Sequence, residues 1–191
     1  MKLGIVLVFM LLGFTPSCNR TKTVYVVFIG RLATIPVSEL TRYYRDRFGI
    51  SVEELPLLRF DEATYDPARH QFMAEALIAQ MKQSYLKQAQ DENAILIGIT
   101  DGDMYLRKMD WQFGFSYRQE GRFAVVSCAR MDPTNFGLPA DDELLRSRLR
   151  KMVTKNIGIM YFNKAPSTNP KSVLYNNVLG LEELDYMGEE F

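Results

Sequence analysis

Histidine is nearly absent from this chain: His70 is the only one in 191 residues, and cysteine occurs only at Cys18 and Cys128. One imidazole excludes a histidine-rich zinc site, since catalytic zinc usually takes about three protein ligands. An excess of one charge is missing too. The 23 Lys+Arg balance 23 Asp+Glu, and removing the first 17 residues deletes only Lys2, leaving 22 against 23 and a net charge of −1. The basic footprint of a nucleic-acid binder is therefore lacking, and no nucleic-acid partner is expected. The one concentration of cations, Arg146, Arg148, Arg150 and Lys151, reads as the polar side of a helix. There is no Gly-rich phosphate loop, no Gly-x-Ser-x-Gly elbow, no internal repeat and no low-complexity run.

What is present begins at the N-terminus. Met1-Lys2 is a short positive start, Ile5 to Phe14 is almost unbroken apolar sequence, and Thr15-Pro16-Ser17-Cys18-Asn19-Arg20 follows. A membrane span needs about 20 apolar residues, so this shorter run reads as a signal peptide. The small residue before Cys18 resembles a bacterial lipobox, in which the cysteine thiol is acylated and becomes the new N-terminus. Thr15 and Pro16 depart from its commonest form, and ordinary cleavage near Ser17 is the alternative. The expected organisation is a lipoprotein-type signal peptide over 1–17, a lipid-anchored linker over 18–22 and one globular domain over 23–191. The expected location is the periplasm or outer membrane of a bacterium, with the membrane itself as a partner through the lipid on Cys18. Cys128 is then the only other thiol. It lies in an apolar strand-like segment and reads as a buried small hydrophobe.

With 47% hydrophobic residues the remainder can bury a substantial core. Thr23 to Ile29 and Ala94 to Thr100 read as buried strands. Ser38 is placed to cap a helix from Glu39 to about Phe48, stopped by Gly49. Asp66-Pro67 has the form of a helix start, a capping carboxylate followed by proline, with Phe72, Met73, Leu77, Ile78, Met81 and Tyr85 as the apolar stripe. Trp111 to Tyr117 and Arg122 to Cys128 read as strands around a hairpin loop at Arg118-Gln119-Glu120-Gly121. Asp141 and Asp142 open a long helix that reaches about Tyr161, and a short helix is expected around Leu181 to Met187. The order is strand, helix, strand, helix, strand, hairpin, long helix: an α+β fold with a mixed sheet packed on helices.

Candidate chemistry is sparse. His70 is expected in the first turn of the Asp66 helix, exposed or partly packed. Asp101 and Asp103 flank Gly102 just after a strand. Two carboxylates fall short of the roughly six ligands that calcium needs, so a turn held by Asx hydrogen bonds is expected there.

Three stretches resemble the archaemetzincins, small metallopeptidase-like proteins of the zincin class. Tyr65-Asp66-Pro67-Ala68-Arg69-His70-Gln71-Phe72 is similar to the family's arginine-x-glutamine-aromatic helix start. Ile97-Gly98-Ile99-Thr100-Asp101-Gly102-Asp103-Met104-Tyr105 is similar to its strand and acidic turn. Trp111 to Phe115 and Ala124 to Met131 are similar to its hairpin with a serine-x-x-arginine exit. The resemblance implies a zincin-like fold with a long C-terminal motif helix. In active members that helix ends in His-Glu-x-x-His-x-x-Gly-x-x-His, whose histidines hold zinc while the glutamate activates water.

On this alignment Lys155 takes the place of the first histidine, Asn156 the glutamate, Ile159 the second histidine, Phe162 the glycine and Ala165 the third histidine. Gly158 is kept, Tyr175 replaces the Met-turn methionine, and the cysteines of the family's second zinc are missing. The resemblance therefore implies a domain with no catalytic residue and no metal or other cofactor. It suggests a vestigial cleft that binds a peptide or protein. The alternatives are a hydrolase with a relocated site at Asp101, Asp103 or Glu143, and a structural envelope protein whose cleft is filled by Ile159, Met160 and Phe162.

Overall fold

The computed structural model describes residues 21–30, 36–109 and 111–191. The signal peptide and Cys18 lie outside them. The main sheet has the order β2-β1-β5-β8-β7, built from β1 (Thr23–Ile29), β2 (Ser51–Glu54), β5 (Ala94–Thr100), β7 (Ser116–Gln119) and β8 (Phe123–Ser127). Its pairings are parallel except β7 with β8, which is antiparallel. A small second sheet joins β3 (Tyr65–Asp66), β4 (Gln71–Met73) and β6 (Met104–Tyr105).

The apolar runs of β1 and β5 follow from burial on both faces. Val24, Val26, Ile95, Ile97 and Ile99 face one core, shared with Leu40 and Tyr44 of α1 (Val37–Phe48) and with Leu149, Val153 and Ile157 of α4 (Asp142–Met160). Val27, Ile29 and Leu96 face the other, against Leu77, Ile78 and Met81 of α2 (Ala74–Ser84). The short α3 (Leu86–Gln90) follows α2, and α5 (Leu181–Tyr186) lies late in the chain. No helix among the described residues is long and apolar enough to cross a membrane. The expected α+β architecture is the observed one.

Several local expectations are corrected. Ser38 lies inside α1, whose N-cap is Pro36 without a side-chain hydrogen bond, while Gly49 does end the helix in the left-handed region at φ 62°. The Asp66-Pro67 segment is a hairpin turn between β3 and β4, and α2 begins only at Ala74. The Asp66 carboxylate accepts from the amides of Ala68 and Arg69 at 3.0 and 3.3 Å, the bonds a helix cap would make, but here they close an Asx turn. His70 follows with φ 54°, exposed, in that turn and not in a helix. Regular pairing in the hairpin starts at Ser116 and not at Trp111. Residues 111–115 instead bridge the two sheets, with Gly114 N–H donating to Met104 and Ser127 N–H to the Phe115 carbonyl. A β-carbon at Gly114 would collide with Leu106.

Candidate functional site

The motif-like residues divide into two groups. The first is a framework. Arg130 grips Asp103 through two bonds of 2.8 and 2.9 Å, and Gln71 donates to the same carboxylate at 2.9 Å and to the Gln112 carbonyl at 2.9 Å. Arg69 reaches the Gln112 side chain at 3.0 Å and lies over the Tyr105 ring at 4.2 Å, while Tyr105 donates to Asp66 at 2.9 Å. Arg130 also stacks on Phe113 at 4.4 Å. One network thus ties β3, β4 and β6 to the Trp111–Phe115 segment. Asp103 is consumed by it. The acidic turn itself is held by the Thr100 hydroxyl, which accepts the Gly102 amide at 3.1 Å, and not by an Asx bond.

The second group sits on α4 (Asp142–Met160), which Asp141 caps by accepting the Leu144 amide at 2.9 Å. Lys155 is 5% exposed, and its ammonium donates to the Tyr175 carbonyl. Burial, with Arg118 nearby, pushes the Lys155 pKa down to about 8. Asn156 is fully buried. Its amide nitrogen donates to Ser116 Oγ at 2.9 Å and to the Met152 carbonyl at 2.7 Å, and its oxygen accepts from Arg118 at 3.1 Å. Ile159 packs against the α1–α4 core. Phe162 stands edge-on to Tyr161 and Phe191, and Ala165 is exposed. At Gly158 an added β-carbon would lie 2.8 Å from Leu174 and 3.2 Å from the Phe191 ring, so the glycine admits the chain's own C-terminal segment.

Between β7 and α4 lies a groove of about 560 Å³ lined by Phe113, Arg118, Met152 and Lys155, with Trp111 and Leu179 among its other walls. It places Lys155 beside the edge strand. The helix end offers a would-be zinc an ammonium, an amide already bonded on both sides, and hydrocarbon. These residues do not fit the ion. Among the described residues no group of three or more His, Cys, Asp or Glu is placed to hold a metal. Glu143 is engaged by Arg150 at 2.9 Å. Cys128 is buried, with its thiol pushed up to about 12 by burial, which suits packing and not nucleophilic attack.

The cation cluster on α4 is not a solvated face. Arg148 and Lys151 are both 7% exposed. Arg148 holds Asp185 through two bonds of 2.7 Å and the Met131 carbonyl at 2.6 Å, and Lys151 donates to the Leu184 and Asp185 carbonyls. Arg150 pairs with Glu189 at 2.9 Å. The acidic C-terminal segment supplies the partners, and nothing in helical spacing announces a partner so far along the chain. Ser116 and Arg118, which join Asn156 at the groove, were likewise not singled out as site residues from the sequence.

A parallel-dominated sheet between helices, with a groove where the edge strand meets a long helix, defines a zinc-peptidase-like fold. The crystal structure of a zinc-dependent peptidase from Methanocorpusculum labreanum matches it with a TM-score of 0.72 over 88% of this chain and 95% of that one, at 20% identity. Sequence similarity is more specific. Archaemetzincin of Pyrococcus horikoshii is 31% identical over 146 residues, 74% of each chain. Archaemetzincin of Thermococcus kodakarensis is 32% identical over 128 residues, 65% of this chain and 66% of that protein. No family model matches the chain. The protein belongs to the archaemetzincin family.

Proposed function

We propose that the protein is a non-catalytic archaemetzincin that binds a peptide or protein segment in the groove between β7 and α4. It would do so at a bacterial envelope, held by a lipid on Cys18 after removal of residues 1–17. The observation that carries the loss of catalysis is the pairing of Lys155 with the Tyr175 carbonyl and of Asn156 with Ser116, Arg118 and Met152. Each group at the position of a ligand or base is either donor-only, already satisfied, or hydrocarbon. Asparagine cannot take up the proton that a general base must accept.

Binding is supported by the open groove of about 560 Å³ and by β7, which is paired with β8 and with no other strand among the described residues. A strand edge of this kind accepts an extended chain through main-chain hydrogen bonds. The same groove favours binding over a purely structural role, which a filled cleft would support. The bonds on Asp103 and Glu143 count against a relocated metal site. Elemental analysis of the purified protein tests the proposal: zinc far below one per chain is expected, and one tightly held zinc per chain would overturn it.

A further inference from the structure

The groove is lined by two cations, Arg118 and Lys155, and by no carboxylate. The ion pairs among the described residues all use other cations. Arg118 spends one N–H on Asn156, and Lys155 donates to the Tyr175 carbonyl. Their remaining donors find no acceptor within the described protein. Burial disfavours the charged form of both side chains, and the two repel one another. Holding two like charges in one recess without a counter-charge is costly. A carboxylate between them would supply that counter-charge through charge-assisted hydrogen bonds. The other walls mix apolar Trp111, Phe113 and Leu179 with polar Gln112, Asn176 and Asn177, and Trp111 and Leu179 stand 49% and 66% exposed on them.

We propose that the groove recognises a carboxylate carried by a peptide, held between Arg118 and Lys155, with an apolar side chain beside it against Trp111 and Leu179. This rests on the peptide-binding reading above and narrows it to a ligand chemistry. The carboxylate has two sources, a free peptide C-terminus or a Glu or Asp side chain.

Trp111 is the only tryptophan, so its emission reports occupancy of this groove. The probes are one apolar hexapeptide in three forms: free acid, C-terminal amide, and the amide with one residue replaced by glutamate. Charge-assisted bonds should make at least one charged form bind about tenfold tighter than the neutral amide. The charged form that gains identifies the source. Arg118→Gln and Lys155→Met should each remove most of that preference while the far-UV spectrum and melting temperature show a folded protein. If the neutral amide binds as tightly as both charged forms, the carboxylate inference is overturned and the peptide groove survives. If none of the three perturbs Trp111 or competes with the others, the peptide-binding reading fails as well.

Discussion

Lys155 is the residue on which the reading of the site turns, because its ammonium is buried against the groove with a carbonyl, not a carboxylate, as its partner. Its pKa falls from 10.5 to about 8, chiefly through desolvation and then through Arg118. The sign of the consequence is fixed by linkage. Below about pH 8 the residue is charged in both states, and the folded state bears the burial. Between about 8 and 10.5 the unfolded chain keeps a proton that the folded protein has lost, so stability rises with pH across that window. Other groups also change charge at alkaline pH, so the comparison must be differential. In paired urea titrations from pH 7 to 10.5, Lys155→Met is expected to be more stable than wild type by on the order of 1 kcal/mol at pH 7. That advantage should vanish toward pH 10.5. An advantage that holds constant across the series would show that Lys155 is not desolvated. Carboxylate binding should run the other way, weakening above about pH 8 as Lys155 loses its charge.

Among the elements, the acidic turn separates framework from chemistry. Asp103 satisfies both Arg130 and Gln71, whereas Asp101 is exposed and makes no side-chain bond to another residue among the described residues. Asp103→Ala should cost about 2 kcal/mol by orphaning those partners and should loosen the Trp111–Phe115 wall. Asp101→Asn should stay within about 0.5 kcal/mol. Equal effects in chemical denaturation would contradict the network. The strands β1 and β5 and the helix α4 were legible in the sequence because their apolar spacing is set by the cores they face. The start of α2 was not, because Asp66 makes the same two backbone bonds in an Asx turn as it would at a helix cap. The burial of Arg148 and Lys151 was hidden for a different reason: their partners, Leu184 and Asp185, come from another element. That Lys155 and Asn156 lie on the long helix could be read from the sequence. The groove's second cation could not, since only the packing of β7 beside α4 brings Arg118 to Lys155.

At the scale of the whole molecule, α4 is tied to both extremes of the described chain. Its cations hold the C-terminal acids, and Lys22 donates to the carbonyls of Met160 and Tyr161 at 2.9 and 3.3 Å, a cation at the negative end of the helix dipole. Only four peptide links separate Lys22 from Cys18. At roughly 3.5 Å per residue they span at most about 14 Å. If Cys18 is acylated as proposed, the C-terminal end of α4 is therefore tethered close to the bilayer surface, without a long flexible stalk. Two acyl signals give stable anchoring where a single chain binds only marginally, so a diacylated Cys18 should withstand washing that strips peripheral proteins. Expressed in a bacterial host, the full chain is expected in the membrane pellet after a high-salt wash, released only by detergent. Cys18→Ser should leave the uncleaved or singly processed protein without acyl chains and change that partitioning, while mass spectrometry of the wild type should show the lipid on Cys18. Wild-type protein recovered salt-soluble with an unmodified Cys18, or cleaved beyond it, would remove the anchor from the proposal and leave the groove to act free of any membrane.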